Sequence, residues 1–136
     1  RRMSETRTGA LMVFRRISSM ENIIETGDKV DSIINRRLIE NIFWKNTPLH
    51  DGAMIVDNNR IVAARCTLPI SQNLELPPQY GLRHRAAASV TSETDAFAIV
   101  VSEETGNISF VVDGTIRTVT SLSELKLSIE SAYNEA

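Results

Sequence analysis

The sequence predicts one α/β domain of the α+β kind, with a central mixed β-sheet flanked by helices. Short apolar runs of strand length alternate along the chain with amphipathic or alanine-rich stretches of helical length. The 136 residues match the commonest size of one domain, and no repeat or low-complexity linker divides them. With 42% hydrophobic and 24% charged residues, the composition is that of a folded chain, so we treat residues 1–136 as a single domain.

The first third of the chain contains one predicted strand and one predicted helix. Residues 10–15 form a short apolar run that follows a glycine, which indicates a strand. Residues 17–29 are mixed in character and end at a Gly-Asp turn signal. Over residues 31–44, apolar side chains recur every four positions with charged side chains on the other face, which predicts an amphipathic helix. Pro48 prevents this helix from continuing.

The middle of the chain is predicted to be a β-hairpin followed by a long loop. Residues 53–56 and 60–67 are apolar runs with strand composition, separated by an Asp-Asn-Asn turn. The segment 69–81 contains two adjacent prolines and is the longest irregular piece of the sequence. Loops of that length in compact domains are often functional.

The last third of the chain is predicted to contain two helices and two strands. Residues 83–92 are rich in alanine, so this helix can lie close to a sheet, and residues 96–101 and 108–112 are apolar strands. Ser121 and Glu124 have the spacing of a capping box and precede an apolar stripe, which predicts a final helix.

The overall charge and the cysteine content exclude several classes of protein. Fifteen Lys and Arg against 17 Asp and Glu give a net charge of −2, so the chain does not bind nucleic acid simply by being basic. A single cysteine, Cys66, excludes a disulfide framework and a cysteine-based zinc site, and its strand context predicts a buried, unreactive thiol. The longest apolar run has six residues, whereas a membrane-spanning helix needs about 20.

Polar residues that could carry chemistry concentrate in three turns. The first, PLHDGA, places Asp51 before a buried strand, where a carboxylate can hold a divalent cation or accept a hydroxyl proton. The third, SEETG, contains two adjacent acids, of which one could complete a metal site if it lay beside Asp51. Taken singly, an Asp-Gly turn and an acidic hairpin loop are also ordinary surface features.

The second turn, GLRHR, places two arginines where a helix begins. A helix N-terminus attracts anions, so Arg83 and Arg85 oppose the helix dipole at a cost of a few tenths of a kcal/mol each. A bound polyphosphate would reverse the sign of that interaction. The residues alone leave two interpretations open, a phosphate site and a solvated arginine pair.

Together the three turns resemble the catalytic domain of the diadenylate cyclases, the DAC family, and within it the membrane-anchored CdaA type. The matching text is PLHDGA, GLRHRAA and VSEETG, with Arg83 placed 32 residues after Asp51. The flanking segments NIFWKNTPLHDGA, LPIS and TDAFAIVVSEETG agree as well. The resemblance covers residues 9–116, and DGA and RHR at this spacing are far more specific than either motif alone.

The resemblance implies a reaction that joins two ATP molecules into cyclic di-AMP and releases two pyrophosphates. Each subunit would hold one ATP, and the 3′-hydroxyl of each ATP would attack the α-phosphate of the other across a face-to-face homodimer or within a larger homo-oligomer. Mg²⁺ or Mn²⁺ is implied as the cofactor. The natural protein would carry N-terminal transmembrane helices, with residues 1–136 as a piece of it at the cytoplasmic face of the bacterial membrane.

The resemblance also assigns a role to each residue of the motifs. Asp51 would hold the metal and help to deprotonate the attacking hydroxyl, the Arg83 and Arg85 guanidiniums would hold phosphates, and His84 would orient its neighbours. The implied catalytic set is Asp51, Gly52, Ala53, Arg83, His84 and Arg85. The implied metal ligands are His50, Asp51 and Glu104. The implied ATP-binding set is Gly52, Ala53, Thr67, Leu68, Gly81, Leu82, Arg83, His84, Arg85, Ser102 and Glu104.

Two positions depart from the pattern of the family. Many relatives carry Thr directly before RHR where this chain has Leu82, so a hydroxyl that could bond phosphate is absent. Relatives also often place an aromatic residue where this chain has Thr67, and a base-stacking platform is worth about 1–3 kcal/mol. Leu68, Met54 or Leu76 are then the candidates for lining the base pocket. These departures keep an alternative open, a nucleotide-binding regulatory module without catalytic activity.

Overall fold

The computed structural model describes residues 3, 6, 8–44, 51–71, 76–78 and 80–134. The strands are β1 (Ala10–Phe14), β2 (Asp28–Ile33), β3 (Ala53–Asp57), β4 (Arg60–Cys66), β5 (Phe97–Val101), β6 (Ile108–Val112) and β7 (Thr115–Val119). The helices are α1 (Glu21–Ile24), α2 (Arg36–Phe43), α3 (Leu82–Glu93) and α4 (Leu122–Asn134).

The seven strands form one mixed sheet in the order β2-β4-β3-β1-β5-β6-β7. The central pair β1 and β3 runs parallel, with Met12 opposite Met54, and every other neighbouring pair in this sheet is antiparallel. This confirms the predicted mixed sheet flanked by helices. The five predicted strands all form, with ends that differ by a residue or less.

The central strands are buried on both faces, which explains why they are apolar without interruption. On one face Leu11, Val13 and Ile55 pack against Ala87 and Val90 of α3. Successive strand residues point to opposite faces, so Met54 and Val56 pack on the other side, against Ile42 and Phe43 of α2. Beyond them, Phe97 and Phe110 pack against Ala132 of α4. The sheet is therefore the middle layer of three.

Helix α3 lies close to the sheet because its inward side chains are small. Ala86, Ala87 and Ala88 are all buried. Thr91 is buried as well, and its hydroxyl is satisfied because it donates to the Ala87 carbonyl at 2.8 Å. The alanine-rich sequence of residues 83–92 predicted this close approach. The position of α3 also fixes where its N-terminus, with the two arginines, meets the sheet.

Two strands that the sequence interpretation missed lie at the two edges of the sheet. Strand β2 alternates between exposed and half-buried positions, so it lacks an apolar run, and it is bulged at Asp31, which has φ of 48°. The predicted helix over residues 31–44 includes the end of this strand, so its predicted beginning is wrong by five residues. Helix α2 begins at Arg36, after Asn35, whose side chain accepts from the Leu38 N–H at 3.1 Å.

The second missed strand, β7, follows a dipeptide in the sequence that is typical of a hairpin turn. Asp113 and Gly114 have φ of 52° and 74° and connect β6 to β7 as a two-residue hairpin turn. Asp-Gly is a preferred sequence for this turn because both residues must adopt positive φ. The edge position leaves most of β7 exposed, so the strand itself shows little apolar patterning.

A polar cluster around Asp95 ties the end of β1 to the loop before β5. The Asp95 carboxylate accepts from the backbone N–H groups of Ile17 and Ser18 at 3.0 and 2.9 Å. The Arg16 guanidinium donates to the carbonyls of Asp95 and Ala132. Although partial burial opposes ionisation, the hydrogen bonds from Ser18 and Ile17 hold the pKa of Asp95 below its ordinary value.

We expect Asp95→Asn to lower the free energy of unfolding at neutral pH by about 1–2 kcal/mol, because an amide nitrogen cannot accept from a backbone N–H. A depressed pKa means that the ionised carboxylate stabilises the fold above the ordinary Asp value of about 4, and that this stability is lost as the pH falls through the native pKa. The difference in Tm between variant and wild type should therefore shrink in acid, as followed by circular dichroism. Asp113→Asn, in the exposed β6–β7 turn, is the matched control; an equal loss in that variant would contradict the role of Asp95.

Candidate functional site

The register of the sheet brings the polar turns together at one edge, the edge formed by the ends of the inner strands. Because β1 and β3 are parallel, the residues that precede them, Gly9 and Gly52, lie at the same edge. Strand β5 is antiparallel to β1 with Val101 opposite Ala10, so Ser102 emerges there as well. Cys66 lies opposite Ala53, which brings the end of β4 to the same place. Three turns that are far apart in sequence thus meet around the start of α3.

A cavity of about 370 Å³ opens at this edge, between the ends of β3 and β4 and the first turn of α3. The predicted site residues in its lining are Asp51, Gly52, Ala53, Thr67, Leu68, Leu82 and Arg83. A second cavity of about 200 Å³ lies on the other side of the helix start, and its lining includes Gly81, Leu82, Arg83, His84, Ser102 and Glu104. Leu82 and Arg83 line both cavities, so the two are adjacent, and we treat them together as the candidate site.

Arg83 is the charged group at the centre of the site. Only 24% of its side chain is exposed, and its Nη1 lies 3.6 Å from Oε1 of Glu103. Its Nε is buried and has no hydrogen-bond partner among the described residues. The N-cap of α3 is Gly81, which has no side chain to accept hydrogen bonds from the first-turn N–H groups of the helix. The end of α3 therefore offers a guanidinium and backbone donors to an anion.

His84 and Arg85 occupy different surroundings from Arg83. His84 is buried, with its ring 5.0 Å from the ring of Tyr80, and burial together with the Arg83 charge lowers its pKa. The imidazole is therefore neutral at pH 7, which agrees with an orienting role better than with a phosphate-binding charge. Arg85 is half-buried and is not among the described residues that line the two cavities.

The SEETG turn is shaped by its own serine. The Ser102 hydroxyl accepts from the backbone N–H groups of Glu104 and Thr105 at 3.2 and 3.3 Å. This holds the turn so that Glu103 reaches Arg83 while Glu104 lines the smaller cavity. The Arg83–Glu103 pair was missed by the sequence interpretation, which singled out Glu104 of the two adjacent acids.

The predicted metal ligands remain a prediction. Asp51 lines the larger cavity and Glu104 the smaller one, and both are exposed. His50 lies outside the described residues. Within the part of the chain that is described, no group of three His, Cys, Asp or Glu side chains is placed to hold a metal ion.

Backbone with positive φ borders the larger cavity. Gly52 has φ of 80°, and a Cβ at this position would lie 2.5 Å from the carbonyl oxygen of Cys66. Arg65 has φ of 57° where β4 is bulged against β3. Bulges and positive φ often lie beside functional sites, where they redirect the chain. Only glycine lets the Asp51 turn approach β4 so closely.

The side chains of Cys66 and Met54 are both buried beside the site. Cys66 is fully buried, which confirms the predicted buried cysteine, and burial, with the nearby Asp28 carboxylate, raises the pKa of its thiol to about 11. Met54 faces the opposite side of the sheet, among the residues that pack under α2, and is not among the described residues that line the two cavities. Of the alternatives, Leu68 lies in the cavity lining.

We expect Gly52→Ala to lower the free energy of unfolding by about 1–3 kcal/mol, since a side chain at positive φ is strained and the new Cβ meets backbone that cannot move aside. Gly81→Ala is the matched control for folding, because no atom lies within 4 Å of its Cβ position. It should cost less than about 1 kcal/mol, the loss expected of alanine at an N-cap. Urea unfolding of both variants compares them; equal stability would contradict the tight approach at Gly52.

The comparison with known families decides what kind of domain this is. The profile of the family described as DisA bacterial checkpoint controller nucleotide-binding, DAC, matches residues 1–116. The chain belongs to the DAC family. This confirms the resemblance carried by the DGA, RHR and SEETG motifs.

Curated relatives of the DAC domain include the cyclic di-AMP synthase CdaA of Bacillus subtilis, 40% identical over 133 residues and covering 98% of this chain. A diadenylate cyclase of Listeria monocytogenes is 45% identical over 114 residues, 84% of the chain. These matches cover 49% and 42% of the relatives, so the DAC domain spans about half of their length or less.

Solved structures confirm the fold. A double mutant of DacA from Staphylococcus aureus superposes with a TM-score of 0.92 at 39% identity, covering 97% of this chain and 88% of that one. A protein of Bacillus cereus, described as a hypothetical membrane spanning protein, gives a TM-score of 0.84 at 41% identity, with 88% of this chain and 59% of that one covered. In the described part of the DAC domain, no helix is long and apolar enough to cross a membrane.

Proposed function

We propose that this DAC domain is a diadenylate cyclase, which condenses two ATP molecules into cyclic di-AMP and releases two pyrophosphates. The observation that carries the proposal is the meeting of Asp51, Gly52 and Arg83 in one cavity at the edge of the sheet. The names of the relatives support it, since they include a cyclic di-AMP synthase and diadenylate cyclases at 40–45% identity.

The proposed step is a phosphoryl transfer that balances without an oxidant or reductant. The 3′-oxygen of one ATP forms a bond to the α-phosphorus of the other, the bond from that phosphorus to the pyrophosphate oxygen breaks, and the hydroxyl proton leaves to a base. Such reactions depend mainly on positioning and on neutralising negative charge. The exposed carboxylate of Asp51, at the mouth of the larger cavity, is our proposed base.

The charge in the site is suited to a triphosphate. We assign the Arg83 guanidinium, which lines both cavities, and the first turn of α3 to binding the phosphates and the departing pyrophosphate. Carboxylates are the ligands that Mg²⁺ and Mn²⁺ prefer, so Asp51 and Glu104, with His50, are our proposed metal ligands. A bound ion would supply further charge neutralisation on the phosphates.

We place the adenine in the larger, more apolar part of the site. Leu68 and Ile70 line it, while Thr67 supplies no aromatic platform. Leu82, with 74% of its surface exposed, lines both cavities and offers no hydroxyl to a ligand. We therefore expect the triphosphate to contribute more of the affinity than the base.

The stoichiometry of the proposed reaction, two ATP for one product, requires two copies of the domain. The described part of the chain offers one site of this kind, whereas the product contains two phosphodiester bonds made from two activated phosphates. We propose that two subunits face each other as a homodimer, or within a larger homo-oligomer, so that each ATP is attacked by the other. We further propose that the full-length protein is membrane-anchored and presents this domain to cytoplasmic ATP, as the membrane-spanning relative suggests.

The first experiment is to incubate the domain with ATP and Mg²⁺ or Mn²⁺ and to separate the nucleotides by chromatography. We expect cyclic di-AMP from the wild type and at least a 100-fold lower yield from Asp51→Asn, because the amide neither binds the metal as well nor accepts the proton (a general base alone contributes about 10²–10⁴-fold). Asp113→Asn, a surface control, should keep full activity. Full activity of Asp51→Asn would overturn the assignment of Asp51.

A face-to-face arrangement predicts how the rate depends on protein concentration. When the domain is diluted through the range in which the dimer dissociates, activity per chain should fall roughly in proportion to the dimer fraction. Analytical ultracentrifugation at the same concentrations gives that fraction. A constant activity per chain across the range would exclude catalysis between two subunits.

The alternative is a nucleotide-binding module without catalysis, and Leu82 and Thr67 are the observations that favour it. Calorimetry with ATP separates it from an active cyclase when combined with the chromatographic assay. Binding of ATP with no cyclic di-AMP, with both metals and over a range of protein concentrations, would support the module.

A further inference from the structure

Gly9, the residue that precedes β1, lies directly under the guanidinium of Arg83. A Cβ built on Gly9 would be 2.6 Å from Nη1, 2.8 Å from Cζ and 3.2 Å from Nη2 of Arg83. Three atoms of one planar group therefore occupy the space that a side chain at position 9 would fill. No part of the DGA, RHR or SEETG motifs includes this residue.

The need for glycine at this position is spatial rather than conformational. The described glycines with positive φ are Gly52, Gly106 and Gly114, and Gly9 is not among them. An alanine could therefore adopt the backbone conformation of Gly9 without strain. The three atoms nearest to its Cβ all belong to the far end of a flexible side chain, which can move away at little cost to the fold.

The guanidinium is also restrained from its other side. Glu103, in the turn after β5, places its carboxylate 3.6 Å from Nη1, while the buried Nε has no hydrogen-bond partner among the described residues. Since a lone ion pair at this distance is weak and long side chains lose entropy when fixed, the nearby Gly9 main chain is a second restraint on the position of the guanidinium.

We propose that Gly9 is a positioning residue that seats the Arg83 guanidinium at the junction of the two cavities. The inference rests on the proposed function, because the position of the guanidinium affects activity only if Arg83 binds the triphosphate. In this proposal the residue before β1 determines where the charged group of a side chain on α3 lies. A methyl group at position 9 would displace the guanidinium and leave the sheet and helix in place.

The test is Gly9→Ala, with nucleotide binding measured by calorimetry using an ATP analogue that has a methylene between the α- and β-phosphorus and cannot react. We expect a Tm close to that of wild type and an affinity lower by about 10-fold, the effect of weakening one charged hydrogen bond. In an Arg83→Ala background, the same Gly9→Ala change should alter affinity by less than about twofold, because no guanidinium remains to be displaced. An unchanged affinity in the single variant, or an equal loss in both backgrounds, would overturn the proposal.

A spectroscopic readout decides the question without any ligand. The Nε–H signal of Arg83, identified in ¹⁵N-arginine-labelled domain by its loss in Arg83→Lys, should shift in Gly9→Ala while the backbone amides of β3 and β4 stay in place. An unchanged chemical shift of the Arg83 Nε–H would contradict the positioning role of Gly9. A wild type that binds the analogue but makes no cyclic di-AMP would overturn the proposed function alone, since binding and the Nε–H signal still report on Gly9.

Discussion

The parallel pairing of β1 with β3 is the constraint on which the site depends. In a sheet whose other neighbours are antiparallel, this pair places two strand beginnings at one edge, and the antiparallel partners β4 and β5 add two strand ends beside them. Four loops therefore converge at one place. An antiparallel β1–β3 pair would send Gly9 and Gly52 to opposite edges, and the turn that carries Asp51 would no longer meet the start of α3.

Close backbone approach at this edge packs the main chain tightly around the end of β4. Gly52 and Gly27 approach the end of β4 from two sides, and a Cβ on Gly27 would lie 2.3 Å from the Ala64 carbonyl oxygen. Between them, Arg65 holds φ of 57° and Cys66 is completely buried. Strain of this kind persists only where surrounding packing fixes it, and the uninterrupted apolar strands beneath the site supply that packing.

The sequence predicted the parts of the fold whose signal is local and missed those that depend on position in the sheet. The central strands and α3 follow from composition alone, since burial on two faces demands unbroken apolar runs. The edge strands β2 and β7 are mostly exposed and so lacked that signal, although Asp113-Gly114 marked one of them. In the site, the motifs identified Asp51 and Arg83, but Gly9 and Glu103 contact Arg83 only through the register of β1 and β5, which no local pattern encodes.

The two arginines at the start of α3 were the main electrostatic anomaly of the sequence, and their surroundings differ. Arg83 lies over the Gly9 backbone toward Glu103, so its charge is compensated from another loop rather than left against the helix dipole. Arg85 is half-buried, away from the two cavities. Because the pKa of the intervening His84 is lowered by burial and by Arg83, the helix start carries no third charge. If Arg83 binds the triphosphate as proposed, the ligand competes with Glu103 for that guanidinium, and binding then depends on the position of Arg83 more than on the number of cations.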